Sequence, residues 1–117
     1  MARRGDRAAP PPRAGEWDLV FGDASAAEGW EALGKQAAGP LFEAWSHLRR
    51  DPRDRSVNAD RIHPLKGSLG KKTIGGKELA QWQYEVTGAG RIWYCPDDAR
   101  KIVHITWAGT GHPPKTD

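Results

Sequence analysis

The sequence predicts one α+β domain in which a short N-terminal strand precedes two helices packed on a curved antiparallel β-meander. Two observations predict this class. Apolar residues recur at helical spacing between residues 25 and 50, and from residue 62 onward apolar and polar residues alternate as they do in strands. The length of 117 residues suits a single domain with a modest core. We expect this domain to span residues 15–117.

The first 14 residues are predicted to form a disordered arm. Arg, Ala and the run Pro10-Pro11-Pro12 dominate this segment, and such a composition cannot bury a core. An inert tail and an arm that binds RNA without sequence preference both fit it. Residues 16–21 then suit a short strand that ends at Gly22-Asp23.

Capping and spacing signals define the two predicted helices. An S-x-x-E capping box at residues 25–28 opens the first helix, and Pro40 stands at a favoured first position of the second. The apolar stripe of the second helix consists of Leu41, Ala44, Trp45 and Leu48. His47 falls between the stripe positions, so we predict it on the surface. For Trp30 and Trp45, a place in the core and a place at an interface both stay open.

The second half of the sequence predicts the sheet. Residues 82–86 alternate in polarity, glycines at 88 and 90 supply a hairpin turn, and residues 91–95 return. Residues 101–107 form the next predicted strand, and residues 71–78 look like a basic hairpin. Arg91 alternates with Ile92, so it should project from the sheet face opposite the core.

Composition excludes several classes of protein. The single cysteine, Cys95, excludes an intrachain disulfide, and no Cys/His spacing matches a metal site, so we predict neither metal nor cofactor. No apolar run approaches the length of a membrane span. The basic N-terminus lacks the apolar stretch of a secretory signal. These features predict a cytoplasmic protein with no membrane partner.

Charge is unevenly distributed along the chain. Four Arg and one Asp give residues 1–14 a charge of +3, and five basic against eight acidic groups give residues 15–56 a charge of −3. Nine basic and six acidic groups give residues 57–117 a charge of +3. The sheet half is therefore the half that favours contact with an anion such as RNA.

Three short motifs carry a resemblance to a known family. They are PLKG at residues 64–67, GRIWY at 90–94 and AGTGH at 108–112. Together with the order of the predicted elements over residues 17–112, they resemble the RelE/ParE superfamily of bacterial toxins, in particular its HigB-like branch. This resemblance implies a RelE-like fold. It also implies the toxin of a type II toxin–antitoxin system.

The resemblance implies a metal-independent endoribonuclease that cleaves messenger RNA at the ribosome and is restrained by a cognate antitoxin protein. Such cleavage needs a general base, a cation for the phosphate and a general acid. By position, Arg91 would stabilise the phosphate and His112 would be the acid. His63 would be the base or a substrate-positioning group, with Lys66 as electrostatic support.

Structural alternatives accompany these assignments. Arg91 equally fits an ion pair with Glu85 or Glu78 across the hairpin. Lys66 equally fits the surface of a turn, and His63 fits an extended segment before a proline. Histidine within a strand favours a structural role for His104.

A second set of residues is predicted to bind RNA. The basic members contact the backbone, and an aromatic member stacks on a base. The set consists of Arg61, Lys71, Lys72, Lys77, Trp93 and Lys115. A solvated surface loop is the alternative for the lysines.

Two departures from the family pattern keep other functions open. No tyrosine follows Tyr94, and Gln83 and Glu85 stand where some relatives have lysines. The alternatives are a ParE-type gyrase inhibitor, which does not need the histidines, and a non-catalytic protein that binds RNA or an antitoxin.

Overall fold

The computed structural model describes residues 2–8, 10–57 and 59–111. Its helices are α1 (Ala24–Gln36) and α2 (Ala38–Arg50). Its strands are β1 (Asp18–Phe21), β2 (Ile62–Pro64), β3 (Lys71–Ile74), β4 (Lys77–Ala80), β5 (Trp82–Glu85), β6 (Gly90–Asp97) and β7 (Ile102–Thr110). A short 3₁₀ helix, Gly67–Gly70, follows β2. The α+β class predicted from the sequence is confirmed.

The main sheet is mixed. Its strand order is β1-β7-β6-β5-β2, with β2, β5, β6 and β7 antiparallel as predicted. β1 pairs in parallel with β7, which is possible because both helices and the other strands lie between them in sequence. β3 and β4 form a separate two-stranded hairpin that turns at Gly75 and Gly76, both at positive φ. This hairpin confirms the one predicted at residues 71–78.

The helices cover one face of the main sheet. α1 lies directly on β7, because a Cβ at Gly29 would stand only 1.7 Å from the backbone oxygen of Ala108. The core between these layers includes Leu33, Leu41, Ala44, Leu48, Ile62, Tyr84, Ile92, Tyr94, Val103 and Ile105. Side chains that alternate with these strand residues therefore occupy the opposite face of the sheet.

Three expectations about the helices were wrong. α2 begins at Ala38, so Pro40 is its third residue and not its first. Asp23, and not Ser25, is the N-cap of α1, since its carboxylate accepts from the Ala26 backbone N–H at 2.8 Å. His47 is buried and not on the surface. Its Nε2 lies 2.9 Å from the carbonyl oxygen of Asp54, because the loop after α2 folds back over the helix end.

The N-terminal segment differs in part from the disordered arm that its composition predicts. The Gly5 N–H donates to the Phe21 oxygen, and the Ala8 N–H donates to the Leu19 oxygen, both at 2.8 Å. Ala8 is buried against the core. These bonds use the free edge of β1, and backbone groups can pair there whatever side chains they carry.

Candidate functional site

Four side chains form a row across the sheet face that lies opposite the helices. This central row comprises His63 on β2, Gln83 on β5, Trp93 on β6 and Trp107 on β7, directly opposed in register. A β-bulge makes the alignment possible. Trp93 faces Trp107, but the next residue of β6 faces Ile105, so Thr106 is an extra residue in β7.

Hydrogen bonds connect three members of the central row. The Trp93 indole N–H donates to Gln83 Oε1 at 2.9 Å, and Gln83 Nε2 lies 3.2 Å from His63 Nε2. His63 Nδ1 lies 3.1 Å from the carbonyl oxygen of Pro64. The His63 side chain is half-buried, so its ring is held in place while part of it remains open to solvent.

Arg91 lies beside the central row, two residues along β6 from Trp93. Its guanidinium stands 3.9 Å from Glu85 Oε2, which is too long for a hydrogen bond, and donates to the Gly88 oxygen at 3.3 Å. The ion pair with Glu85 that the sequence left open is therefore present but loose. Glu78 instead faces Lys71 at 3.6 Å.

The register gives the separation between His63 and Arg91. The two residues are two strands apart and two residues out of step along the strands. At roughly 4.8 Å between strands and roughly 3.4 Å per residue, their Cα atoms are about 12 Å apart. Both side chains project from the same face, as the alternation in the sequence predicted for Arg91.

Lys66 and Arg61 border this face. Lys66 is exposed at the start of the 3₁₀ helix, where its carbonyl oxygen accepts from the Leu69 N–H at 3.2 Å. Arg61 is exposed immediately before β2 and pairs through its backbone oxygen with the Glu85 N–H. Both lie at the β2 side of the sheet, near His63.

The predicted lysines of the hairpin lie together. Lys71, Lys72 and Lys77 are exposed on β3 and β4. Lys77 donates to Asp97 at 3.2 Å, which places the hairpin against the β6 end of the open sheet face. The face is thus divided into an open part around the central row and a part beneath the basic hairpin.

Trp93, which the sequence predicts to stack on a base, is almost fully buried. Only 6% of it is exposed, and its ring packs against Trp107 at 5.8 Å between centroids. Its burial leaves little ring surface for a base to stack on. Trp107 is more exposed on the same face, and the bulge at Thr106 that puts it there carries no signal in the sequence.

Two predicted site residues, His112 and Lys115, lie outside the residues that the structure describes. The described chain ends at Gly111, whose N–H donates to the Ala89 oxygen at 3.1 Å. β7 therefore ends beside the turn between β5 and β6, the turn to which the Arg91 guanidinium also donates.

Gln83 is the residue of this site that sequence reasoning missed. In the sequence it stands out only as a departure from the family pattern. In the structure it is the central member of a bonded trio with Trp93 and His63. Strand alternation placed Gln83 on the polar face, but its partners depend on the register between strands.

A buried polar cluster lies under the hairpin and does not form a second reactive centre. Burial raises the pKa of the Cys95 thiol to about 12, so the thiol stays protonated and unreactive at neutral pH. Burial would also raise the pKa of Asp97, but the hydrogen bond and charge of Lys77 outweigh it and lower that pKa. His104 is buried with Nε2 3.6 Å from Asp97, beyond hydrogen-bond distance.

Within the part of the chain that the structure describes, no group of three His, Cys, Asp or Glu residues could hold a metal ion. In the same part, no helix is long and apolar enough to cross a membrane. The chain matches no known protein-family model and no curated protein.

Proposed function

We propose that this protein has the RelE-like fold and is an endoribonuclease toxin of the HigB-like type. It cleaves messenger RNA at the ribosome without a metal ion and so inhibits translation. The observation that carries the proposal is that His63 and Arg91 project from one open sheet face with their Cα atoms about 12 Å apart. A phosphate between them would be within reach of both side chains.

A few side chains share the steps of the proposed RNA cleavage. Arg91 offers a permanently charged fork that neutralises the pentavalent phosphate, and Lys66 adds positive charge at the border of the face. His63 acts on the 2′-hydroxyl. The protonation of the leaving 5′-oxygen is assigned to His112 on the family resemblance alone. Two groups of basic side chains hold the RNA backbone. They are Arg61 and the hairpin residues Lys71, Lys72 and Lys77.

One apolar surface of this protein suits the binding of the proposed antitoxin. Trp30, Leu41, Phe42 and Trp45 line an apolar groove between α1 and α2. Phe42 is 63% exposed, an unusual position for so large an apolar side chain. An amphipathic helix of an antitoxin would bury this groove, on the side of the molecule away from the RNA face.

One observation favours a second candidate, a non-catalytic protein that binds RNA or an antitoxin. Arg91 already has two partners, the Glu85 carboxylate and the Gly88 oxygen. An arginine that keeps both partners has fewer donors left for a phosphate. Loss of RNA cleavage with retained RNA binding would identify this function.

Expression under tight induction tests the proposal. The wild type should arrest growth and create new messenger RNA 5′ ends that primer extension maps. His63→Ala, Arg91→Ala and His112→Ala should each abolish both effects. Arg100→Ala is the matched control, because Arg100 is an exposed arginine in the β6–β7 turn.

Two outcomes would refute the nuclease. One is a wild type that produces neither growth arrest nor new RNA ends. The other is growth arrest with a DNA-damage response and intact RNA, which would point to gyrase inhibition. An Arg100→Ala variant as inactive as Arg91→Ala would remove the support that Arg91 gives.

A further inference from the structure

The bond between Trp93 and Gln83 fixes the orientation of the Gln83 amide. An indole nitrogen can only donate, so the atom that faces it at 2.9 Å must be the amide oxygen. The two ends of a glutamine amide are distinguished by such networks. With its oxygen toward Trp93, Gln83 directs its NH₂ group at His63.

The amide in turn fixes the protonation of His63. An amide NH₂ can only donate, so His63 Nε2, 3.2 Å away, must accept and carries no proton. At the other side of the ring, Nδ1 faces the Pro64 carbonyl oxygen at 3.1 Å, which can only accept. Nδ1 therefore carries the proton, and the two contacts independently select the same neutral tautomer.

We infer that Gln83 is a positioning residue that holds His63 in its Nδ1–H tautomer and thereby makes Nε2 the general base. The assignment of a base rests on the proposed function, whereas the tautomer does not. It resolves the choice that the sequence left open, because a neutral histidine with a free electron pair on Nε2 can accept a proton and cannot donate one there.

The proton transfer follows from this geometry. The Gln83 contact of 3.2 Å lies at the long end of the range for hydrogen bonds, so a 2′-hydroxyl can replace it. The 2′-O–H bond breaks as Nε2–H forms, and the 2′-oxygen pair bonds to phosphorus as the P–O5′ bond breaks. The 5′-oxygen takes its proton from the acid, the role proposed for His112.

Nitrogen-15 NMR of the full chain tests the tautomer. At about pH 8, above the ordinary titration range of histidine, spectra that correlate ring C–H groups with ring nitrogens separate protonated from unprotonated nitrogens. In the wild type, Nε2 of His63 should be unprotonated and Nδ1 protonated. Gln83→Leu should move the two nitrogens part of the way toward averaged shifts, because only the Pro64 carbonyl oxygen then selects the tautomer.

Gln83→Glu provides the opposite perturbation. Its carboxylate can accept from Trp93 and from His63, so Nε2 should gain a proton. The matched controls are Gln36→Leu and Gln36→Glu at an exposed position near the end of α1, which should leave the His63 signals unchanged. Unchanged backbone spectra outside the central row show that each variant is folded.

Kinetics on a messenger RNA bound to ribosomes separate positioning from a merely structural role. Gln83→Leu leaves part of the population in the productive tautomer, so kcat should fall only a few-fold with KM unchanged. Gln83→Glu removes the base, so kcat should fall by about 10² or more. A larger loss for leucine than for glutamate would contradict this order.

The two proposals fail differently. Averaged His63 nitrogens in the wild type, or a protonated Nε2, overturn the positioning role whatever the activity. A fixed Nδ1–H tautomer in a wild type that cleaves no RNA overturns the proposed function and the base assignment with it.

Discussion

Gly29→Ala tests the close approach of α1 to β7. The new Cβ would meet the Ala108 backbone oxygen at 1.7 Å, whereas an ordinary contact begins near 3.4 Å. The helix would have to move by roughly 1.7 Å, because a carbonyl oxygen in a paired strand cannot turn aside as a side chain can. β7 also carries Trp107, so this contact supports the sheet beneath the candidate site.

The expected magnitude is a balance of two effects. Alanine within a helix is favoured over glycine by about 1 kcal/mol. Overpacking of a rigid contact costs about 1–3 kcal/mol and more where backbone must move. We expect the overpacking cost to exceed the gain in helix propensity, so the free energy of unfolding should fall by about 2 kcal/mol. In a domain of about 100 residues, that loss lowers Tm by roughly 8–15 °C.

Gly34→Ala is the matched control on the same helix. Its nearest neighbour would be the Leu41 side chain at 3.5 Å, an ordinary contact, so this change should stabilise by about 1 kcal/mol. Urea unfolding followed by tryptophan fluorescence measures the free energy of unfolding of both variants. Equal m-values show that the two values can be compared directly. If Gly29→Ala were as stable as Gly34→Ala, α1 would not lie this close to β7.

Three further predictions concern other contacts. Tyr94→Phe removes the buried hydroxyl that donates to the Pro52 oxygen at 2.7 Å, and urea unfolding should show a loss of about 1–2 kcal/mol; no loss would mean that the carbonyl finds another donor. Hydrogen bonds from Arg13 lower the pKa of Glu16 to about 2 from 4.5, so its contribution to stability is full above pH 4.5 and is lost as the pH falls through 2. The Tm difference between wild type and Glu16→Gln should therefore shrink across that window, and a constant difference would contradict the pairing. Lys72→Ala should reduce the slope of log K against log salt for single-stranded RNA by about 0.7, and an unchanged slope would exclude a phosphate contact.

Much of the fold was predictable because periodicity reports which face of an element is buried. The α+β class, the basic hairpin and the outward direction of Arg91 all followed from spacing. The burial of His47 did not, because it depends on the loop after α2, which brings the Asp54 carbonyl oxygen back over the helix end. The pairing of residues 5–8 with β1 did not either, since backbone hydrogen bonds at a strand edge leave little trace in composition.

The sheet face on which the site residues lie was predictable from the sequence, but the residues that they contact were not. Alternation placed Trp93 beside Arg91, yet it could not show that Trp93 is buried against Trp107. That contact depends on the bulge at Thr106, and the bond to Gln83 depends on the β5–β6 register. Register is set by long-range pairing, so a residue that reads as a plain polar position can become the centre of a network.

The Glu85–Arg91 pair does not by itself decide against phosphate binding. The pair is 3.9 Å apart and both side chains are partly exposed, so it contributes about 0–1 kcal/mol. A hydrogen bond from arginine to a charged phosphate oxygen contributes about 1.5–3 kcal/mol, and a bidentate contact makes two of them. Phosphate would therefore outcompete Glu85 for the guanidinium. After that exchange, Glu85 would remain as a negative charge beside the turn. Since β5 lies between the strands that carry His63 and Arg91, this charge would favour an RNA path that crosses β5 on the Gln83 side of Glu85.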